Sequence, residues 1–105
     1  MSQSLSKLYV HLIFHVKDNQ TGIRPSDADR VYSYIGGIIK QKESIPVRIG
    51  GMPDHIHILC VLSKNTPLSK LIQEIKSNSS RWIKSLHSYY NWFAWQNGYG
   101  AFSHT

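Results

Sequence analysis

Cysteine is almost missing from this chain: Cys60 stands alone among 105 residues. One thiol cannot close an internal disulfide, so a packed core must hold the fold, and a reducing cytoplasm is the expected setting. Acidic residues are scarce as well, 6 against 12 Lys and Arg, for a net charge of +6 and a pI of about 9.6. That balance favours a polyanionic partner, nucleic acid ahead of an anionic membrane surface. No apolar run approaches the ~20 residues needed to cross a bilayer. The opening Met-Ser-Gln-Ser-Leu-Ser-Lys lacks the apolar centre of a signal peptide. A soluble protein is expected, with no membrane partner. No internal repeat or linker is visible, and 105 residues with 41% hydrophobic content suit a single domain, 1–105, around one core.

What is there is a pair of histidines in Met52-Pro53-Asp54-His55-Ile56-His57-Ile58-Leu59. Residues i and i+2 of a strand project from the same face. His55 and His57 should therefore stand side by side, able to share one metal ion or one phosphate. Ile56, Ile58, Leu59, Val61 and Leu62 read as a buried strand that holds the pair, with Cys60 pointing to the other face from the histidines.

The rest of the chain alternates strand and helix patterns. Residues 8–17 read as a first strand, with Val10, Leu12, Phe14 and Val16 on a dry face and Tyr9, His11, Ile13, His15 and Lys17 on the other. Pro25 and Ser26 open a helix to about residue 43, with Asp27 and Asp29 in its first turn and Ala28, Val31, Tyr32, Ile35, Ile38 and Ile39 at helical spacing. Gly36-Gly37 in its middle should each cost about 1 kcal/mol relative to alanine, so a close neighbour to the backbone is expected there. Ile45 to Ile49 is a short strand, and residues 50–54 a turn that returns into the histidine strand, 55–62. Thr66 should cap a second helix with Pro67 at its first position. Leu68, Leu71, Ile72, Ile75, Trp82, Ile83 and Leu86 share one side of that helix, and Lys70, Ser77, Arg81 and Lys84 the other. Tyr89 to Phe102 is aromatic, with turn signals at Asn97-Gly98, and reads as one or two short strands. The order is strand, helix, strand, strand, helix, strand. That predicts an α+β, ferredoxin-like β-α-β-β-α-β fold with an antiparallel sheet.

Two imidazoles from one strand are too few for a closed structural zinc site, which needs four ligands. An open site for Mg²⁺ or Mn²⁺, completed by phosphate oxygens and water, suits them better. A metalloprotease His-Glu-x-x-His helix is absent, and Gly50-Gly51 is not followed by the Gly-Lys-Ser/Thr of a phosphate loop. Leu59 stands where a histidine-triad hydrolase would need another histidine. His11 and His15 share a face that could approach the pair. With His87 and His104 they are expected to be ordinary, partly exposed histidines.

Several landmarks then fall in order: His11-Leu-Ile-Phe-His-Val-Lys17, Gly50-Gly51-Met-Pro-Asp54-His55-Ile-His57-Ile-Leu59, Leu68-Ser-Lys70-Leu71-Ile72 with Ser79-Ser80-Arg81-Trp82-Ile83, and Trp95-Gln96-Asn97-Gly98-Tyr99-Gly100-Ala101-Phe102-Ser103. Together they resemble the single-tyrosine, HUH-type transposases of small bacterial insertion sequences, over nearly the whole chain. The resemblance implies a ferredoxin-like domain that forms a homodimer by joining sheets. It implies binding of hairpin or single-stranded DNA at transposon ends, and strand cleavage and rejoining through a phosphotyrosine link. It places the divalent metal, Mg²⁺ or Mn²⁺, on His55 and His57, and it implies no nucleotide cofactor.

In that family a further helix follows the Gly-Tyr-Gly-Ala-Phe-Ser segment, with the nucleophilic tyrosine and, one turn later, a glutamine for the metal. The sequence here ends at Ser103-His104-Thr105, with no matching position for either. Tyr99 matches the segment before that helix, and Tyr89 and Tyr90 have no match as nucleophiles. The catalytic tyrosine is therefore unassigned, and the expectation is a chain that binds DNA and metal without cleaving. Lys70, Arg81 and Lys84 are the candidate DNA-binding residues. Two other readings stay open: a non-catalytic, ferredoxin-like nucleic-acid-binding module with base-stacking aromatics on its sheet, for which Tyr9 is the obvious candidate, and a plain dimerisation domain.

Overall fold

Alternating apolar side chains carry the first strand into the centre of the molecule. In the computed structural model, which describes residues 7–17 and 21–104, β1 spans Tyr9–His15, α1 Pro25–Gln41, β2 Ile45–Met52, β3 His55–Val61, α2 Leu68–Leu86 and β4 Gly100–His104. The strands form one antiparallel sheet in the order β2-β3-β1-β4. This is the α+β, ferredoxin-like arrangement expected from the element order.

Both helices lie on one face of the sheet. Val10, Leu12, Phe14 and Val16 with Ile56, Ile58 and Cys60 point into that layer, where they meet Val31, Ile35 and Ile39 of α1 and Leu71, Ile75 and Ile83 of α2. Truncating any one of the fully buried isoleucines to alanine should cost about 2–5 kcal/mol. Burial of Cys60 pushes its thiol up to about 11, so it is an inert packing group. The other face of the sheet carries no helix among the described residues.

Several expectations need correction. Leu59 and Val61 are half-buried on the histidine face, not in the core, because strand alternation gives the core Ile56, Ile58 and Cys60 instead. Strand β2 runs on to Met52, so the turn before His55 is only Pro53-Asp54. Helix α1 stops at Gln41, and Glu43 takes a left-handed φ of 61° just beyond it. Helix α2 begins at Leu68, with Pro67 before it; Thr66 does not cap α2 but donates its hydroxyl to the Lys42 carbonyl. Gly36 has only an ordinary contact, with Ile49 Cδ1 3.8 Å from where a Cβ would sit, and Gly37 has nothing close. The tight approach expected at that pair is absent.

The aromatic segment after α2 contributes one 3-10 turn, Ser88–Tyr90, a single bridge between Trp95 and Val16, and β4. Tyr90, Phe93 and Trp95 bury their rings beneath it. The Trp95 indole N–H donates to Ser79 Oγ at 2.9 Å, and Ser79 in turn donates to the Ile75 carbonyl, so no polar atom is left bare there.

Candidate functional site

The start of β3 is held from three directions. The Asp54 carbonyl accepts from the Val16 N–H and the Pro53 carbonyl from the Ile23 N–H, both at 2.8 Å. Pro53 presets its own φ and leaves no N–H to satisfy. On the β2 side Gly51 adopts φ 156°, and a Cβ there would run into the His55 carbonyl and lie 2.7 Å from Ile56 Cα. Only glycine lets β2 press this closely on the histidine strand.

From this clamp His55 and His57 project onto the open face, as their spacing predicts. Their Nε2 atoms lie 3.1 Å apart and the ring centroids 4.8 Å. Asp54 Oδ1 sits 2.8 Å from His55 Nδ1. With the Nδ1 proton donated to that carboxylate, the His55 Nε2 lone pair accepts the His57 Nε2–H across the short contact, and a metal ion held by both nitrogens would take the place of that proton. Burial, followed by the nearby His55, His11 and His15 rings, holds the His57 pKa below the ordinary imidazole value. The hydrogen bond from His55 holds Asp54 below the usual carboxylate range.

β1 adds two more histidines. His15 pairs with His55 across the strands, with ring centroids 5.6 Å apart, and His11 lies 5.8 Å from His57. These two do approach the pair, as their shared face allows, because the β1–β3 register sets them against it, and both stay partly exposed. His87 does something else: its Nδ1 accepts from the Tyr89 N–H. The side chain of His104 lies outside what is described.

Arg48 belongs to the same face, although the alternation of β2 does not reveal it. A bulge between Pro46 and Arg48 shifts the register, so Ile45, Arg48, Gly50 and Met52 share the histidine face while Ile49 turns to the core. Arg48, Gly50 and Gly51 line a hollow of about 320 Å³ with His11, His57 and Leu59. Phe102 of β4, opposite His11 and 58% exposed, adds a bare ring to this face. A larger hollow of about 600 Å³ lies at the far end of the sheet, around Leu8, Val61 and Thr66, away from the histidines.

Lys70, Arg81 and Lys84 are exposed on α2 and so lie in the helical layer, across the sheet from the histidines. Lys70 pairs with Glu74 at 3.3 Å, and Arg81 reaches Asn78 Oδ1 at 3.4 Å.

Residues 4–105 match the family model described as Transposase IS200 like. The chain belongs to this transposase family. Two solved structures share the fold of this IS200-like transposase. A provisionally named transposase of Deinococcus radiodurans R1 superposes with a TM-score of 0.85 at 20% identity, over 100% of this chain and 87% of that one. A REP-associated tyrosine transposase bound to a REP hairpin superposes with a TM-score of 0.69 at 13% identity, over 100% of this chain and 63% of the other. This chain thus spans less than two thirds of the REP-associated protein. No curated protein sequence matches.

The spacing of the two Nε2 atoms bears on whether His55 and His57 could hold a divalent metal. Two ligands at right angles, each about 2.1 Å from an octahedral ion, lie about 3.0 Å apart. The 3.1 Å between the Nε2 atoms fits that arrangement. Among the described residues no group of three or more His, Cys, Asp or Glu could hold a metal. His55 and His57 thus offer two ring nitrogens and no third side chain of these types beside them. Among the described residues no tyrosine hydroxyl is hydrogen-bonded to these histidines, and that of Tyr90 is fully committed to Asp27 and the Arg24 N–H. No helix among the described residues is long and apolar enough to cross a membrane.

Proposed function

We propose that this IS200-like transposase binds single-stranded or hairpin DNA at insertion-sequence ends and seats a phosphate at His55 and His57. The carrying observation is the convergence of two Nε2 atoms 3.1 Å apart on a sheet face free of helices, with Asp54 behind one of them. His55 and His57 would hold Mg²⁺ or Mn²⁺, which when bound polarises the phosphate and stabilises the leaving oxygen. Asp54 orients His55, burial of His57 disfavours its charged, non-ligating form, and Arg48 in the lining of the adjoining hollow supplies a cation for a neighbouring phosphate.

Strand cleavage and rejoining through a phosphotyrosine link completes the reaction class. It requires a tyrosine in line with the seated phosphate; no tyrosine hydroxyl among the described residues is hydrogen-bonded to the histidines, and the 105-residue polypeptide is expected to bind without cleaving. The sheet edges β2 and β4 are the surfaces through which two copies would join into a homodimer.

Calorimetry with Mn²⁺ and anisotropy with a labelled hairpin test the site together. Replacing both His55 and His57 by alanine should abolish Mn²⁺ binding, leave the thermal melt in place, and remove the strengthening of DNA binding by Mn²⁺. Equal Mn²⁺ binding by the double variant would falsify the site. Phe102 and Tyr9 on the same face support the second reading, a non-catalytic base-stacking module. DNA binding indifferent to metal and to both histidines would favour it.

A further inference from the structure

The segment after α2 sorts four aromatic rings by their spacing. The Tyr90, Asn91 and Phe93 N–H groups donate to the carbonyls three residues back, at His87, Ser88 and Tyr90. At that pitch side chains i and i+3 lie one above the other. Tyr90 and Phe93 turn inward together, fully buried, with ring centroids 6.2 Å apart. Tyr89 and Trp92, at the same spacing, turn outward: Tyr89 is 39% exposed and Trp92 89%. The Arg24 guanidinium lies 4.7 Å from the centre of the Tyr89 ring. Asp27 binds both Arg24 and Arg30 and so balances only one of these two cations.

We propose that Trp92, three residues from the Tyr89 ring that Arg24 covers, forms a stacking platform for an unpaired base of the single-stranded DNA whose phosphate sits at His55 and His57. The inference rests on the DNA-binding reading above and adds a second contact point to it. Ring faces accept any base, and an adjacent guanidinium takes the phosphate that follows. The Arg24 guanidinium on Tyr89 and the excess cation of the Arg24-Asp27-Arg30 group, on a chain of net charge +6, favour a polyanionic occupant over a protein partner.

Placement supports the same occupant. The Arg24 N–H bonds the Tyr90 hydroxyl at 3.0 Å, and the preceding Ile23 N–H bonds the Pro53 carbonyl at 2.8 Å. Pro53 belongs to the turn that delivers His55. The segment that carries the platform and the histidine strand are therefore joined at one end of the sheet through the Ile23-Arg24 step.

The test is a fluorescence-anisotropy titration of the 105-residue chain with labelled oligo-dT and with an abasic oligonucleotide of equal length. Trp92→Ala should weaken oligo-dT binding about 5- to 100-fold and leave abasic binding unchanged. Trp92→Phe should keep most of the affinity. The salt slope should be the same in Trp92→Ala as in the parent, because stacking releases no counterions. An unchanged thermal melt is expected for so exposed a side chain. Equal oligo-dT binding by Trp92→Ala and the parent overturns the platform and leaves the DNA-binding reading standing. Equal loss on both oligonucleotides overturns it too, as does a Trp92-dependent preference for oligo-rU, which would assign the surface to RNA. A change of oligomeric mass in Trp92→Ala without DNA would give Trp92 to a contact between copies. Failure of the parent to bind either oligonucleotide overturns both readings together.

Discussion

His55 carries two ring nitrogens, and the Asp54 carboxylate 2.8 Å from Nδ1 decides which of them is free to ligate. Partners of this kind orient ligating imidazoles and raise their basicity, and their loss commonly costs 10–100-fold in metal affinity. Asp54→Ala should therefore weaken Mn²⁺ binding by about that factor, with Asp54→Asn, which keeps an acceptor oxygen, losing less. Isothermal calorimetry on the two variants distinguishes orientation from simple loss of charge. Equal losses would mean that the carboxylate acts by charge alone. Asp27 shows the same chemistry in a structural role. The Tyr90 hydroxyl, donating at 2.6 Å, and then Arg30 lower its pKa to about 2. A depressed carboxylate pKa stabilises the fold above the unfolded value near 4, and that contribution is lost as pH falls toward 2. Asp27→Asn should cost on the order of 3 kcal/mol near neutral pH and should flatten the acid limb. Urea melts of both proteins between those pH limits measure it.

At the scale of elements, β3 is rigid because β2, the Ile23 loop and the end of β1 all hold its first residues. Gly51 is the tightest of these supports. Gly51→Ala puts a Cβ against the His55 carbonyl on a backbone of φ 156°, so β2 must withdraw. The expected loss of stability exceeds about 1 kcal/mol, with weaker Mn²⁺ binding as the histidines lose register. Alanine at Gly37, where nothing lies within 4 Å, is the control and should be neutral or stabilising. A Gly51→Ala protein with the parent's melt and metal affinity would show that the clamp is dispensable.

At the scale of the whole molecule, the sheet separates two basic regions. The histidines, Arg48 and Phe102 occupy one side, and Lys70, Arg81 and Lys84 the outside of the helical layer. A duplex or hairpin long enough to wrap the domain edge could touch both; a short single strand could not. The triple change of Lys70, Arg81 and Lys84 to alanine should accordingly reduce the log–log salt slope of hairpin binding, by about 0.7–0.9 per lost phosphate contact, and barely alter binding of a short unpaired strand. A hairpin slope equal to the parent's would remove the α2 stripe from the interface. On a denaturing gel the same 105-residue polypeptide should form no covalent adduct with transposon-end DNA and Mn²⁺. A protease-sensitive shifted band would return the chain's own tyrosines to consideration, Tyr99 and Tyr89 first because both are exposed.

Sequence alone sufficed for the element order, the faces of β1, the apolar stripes of both helices and the pairing of His55 with His57. All of these follow from local periodicity, in which the backbone sets which side chains share a face. The metal role proposed for that pair came from the family resemblance. Only the tertiary structure brought His11 and His15 against the pair, because register between β1 and β3 depends on how two distant segments slide into the same core. Only it turned Arg48 onto the histidine face, since one extra residue in a bulge reverses every side chain beyond it. Asp27 reads in the sequence as a helix-dipole charge, yet Tyr90, 63 positions away, makes it a buried anchor. The Lys70, Arg81 and Lys84 stripe was legible on α2, but its separation from the histidines was not. Periodicity says which face of a helix is dry; only the fold says which side of the sheet that face covers.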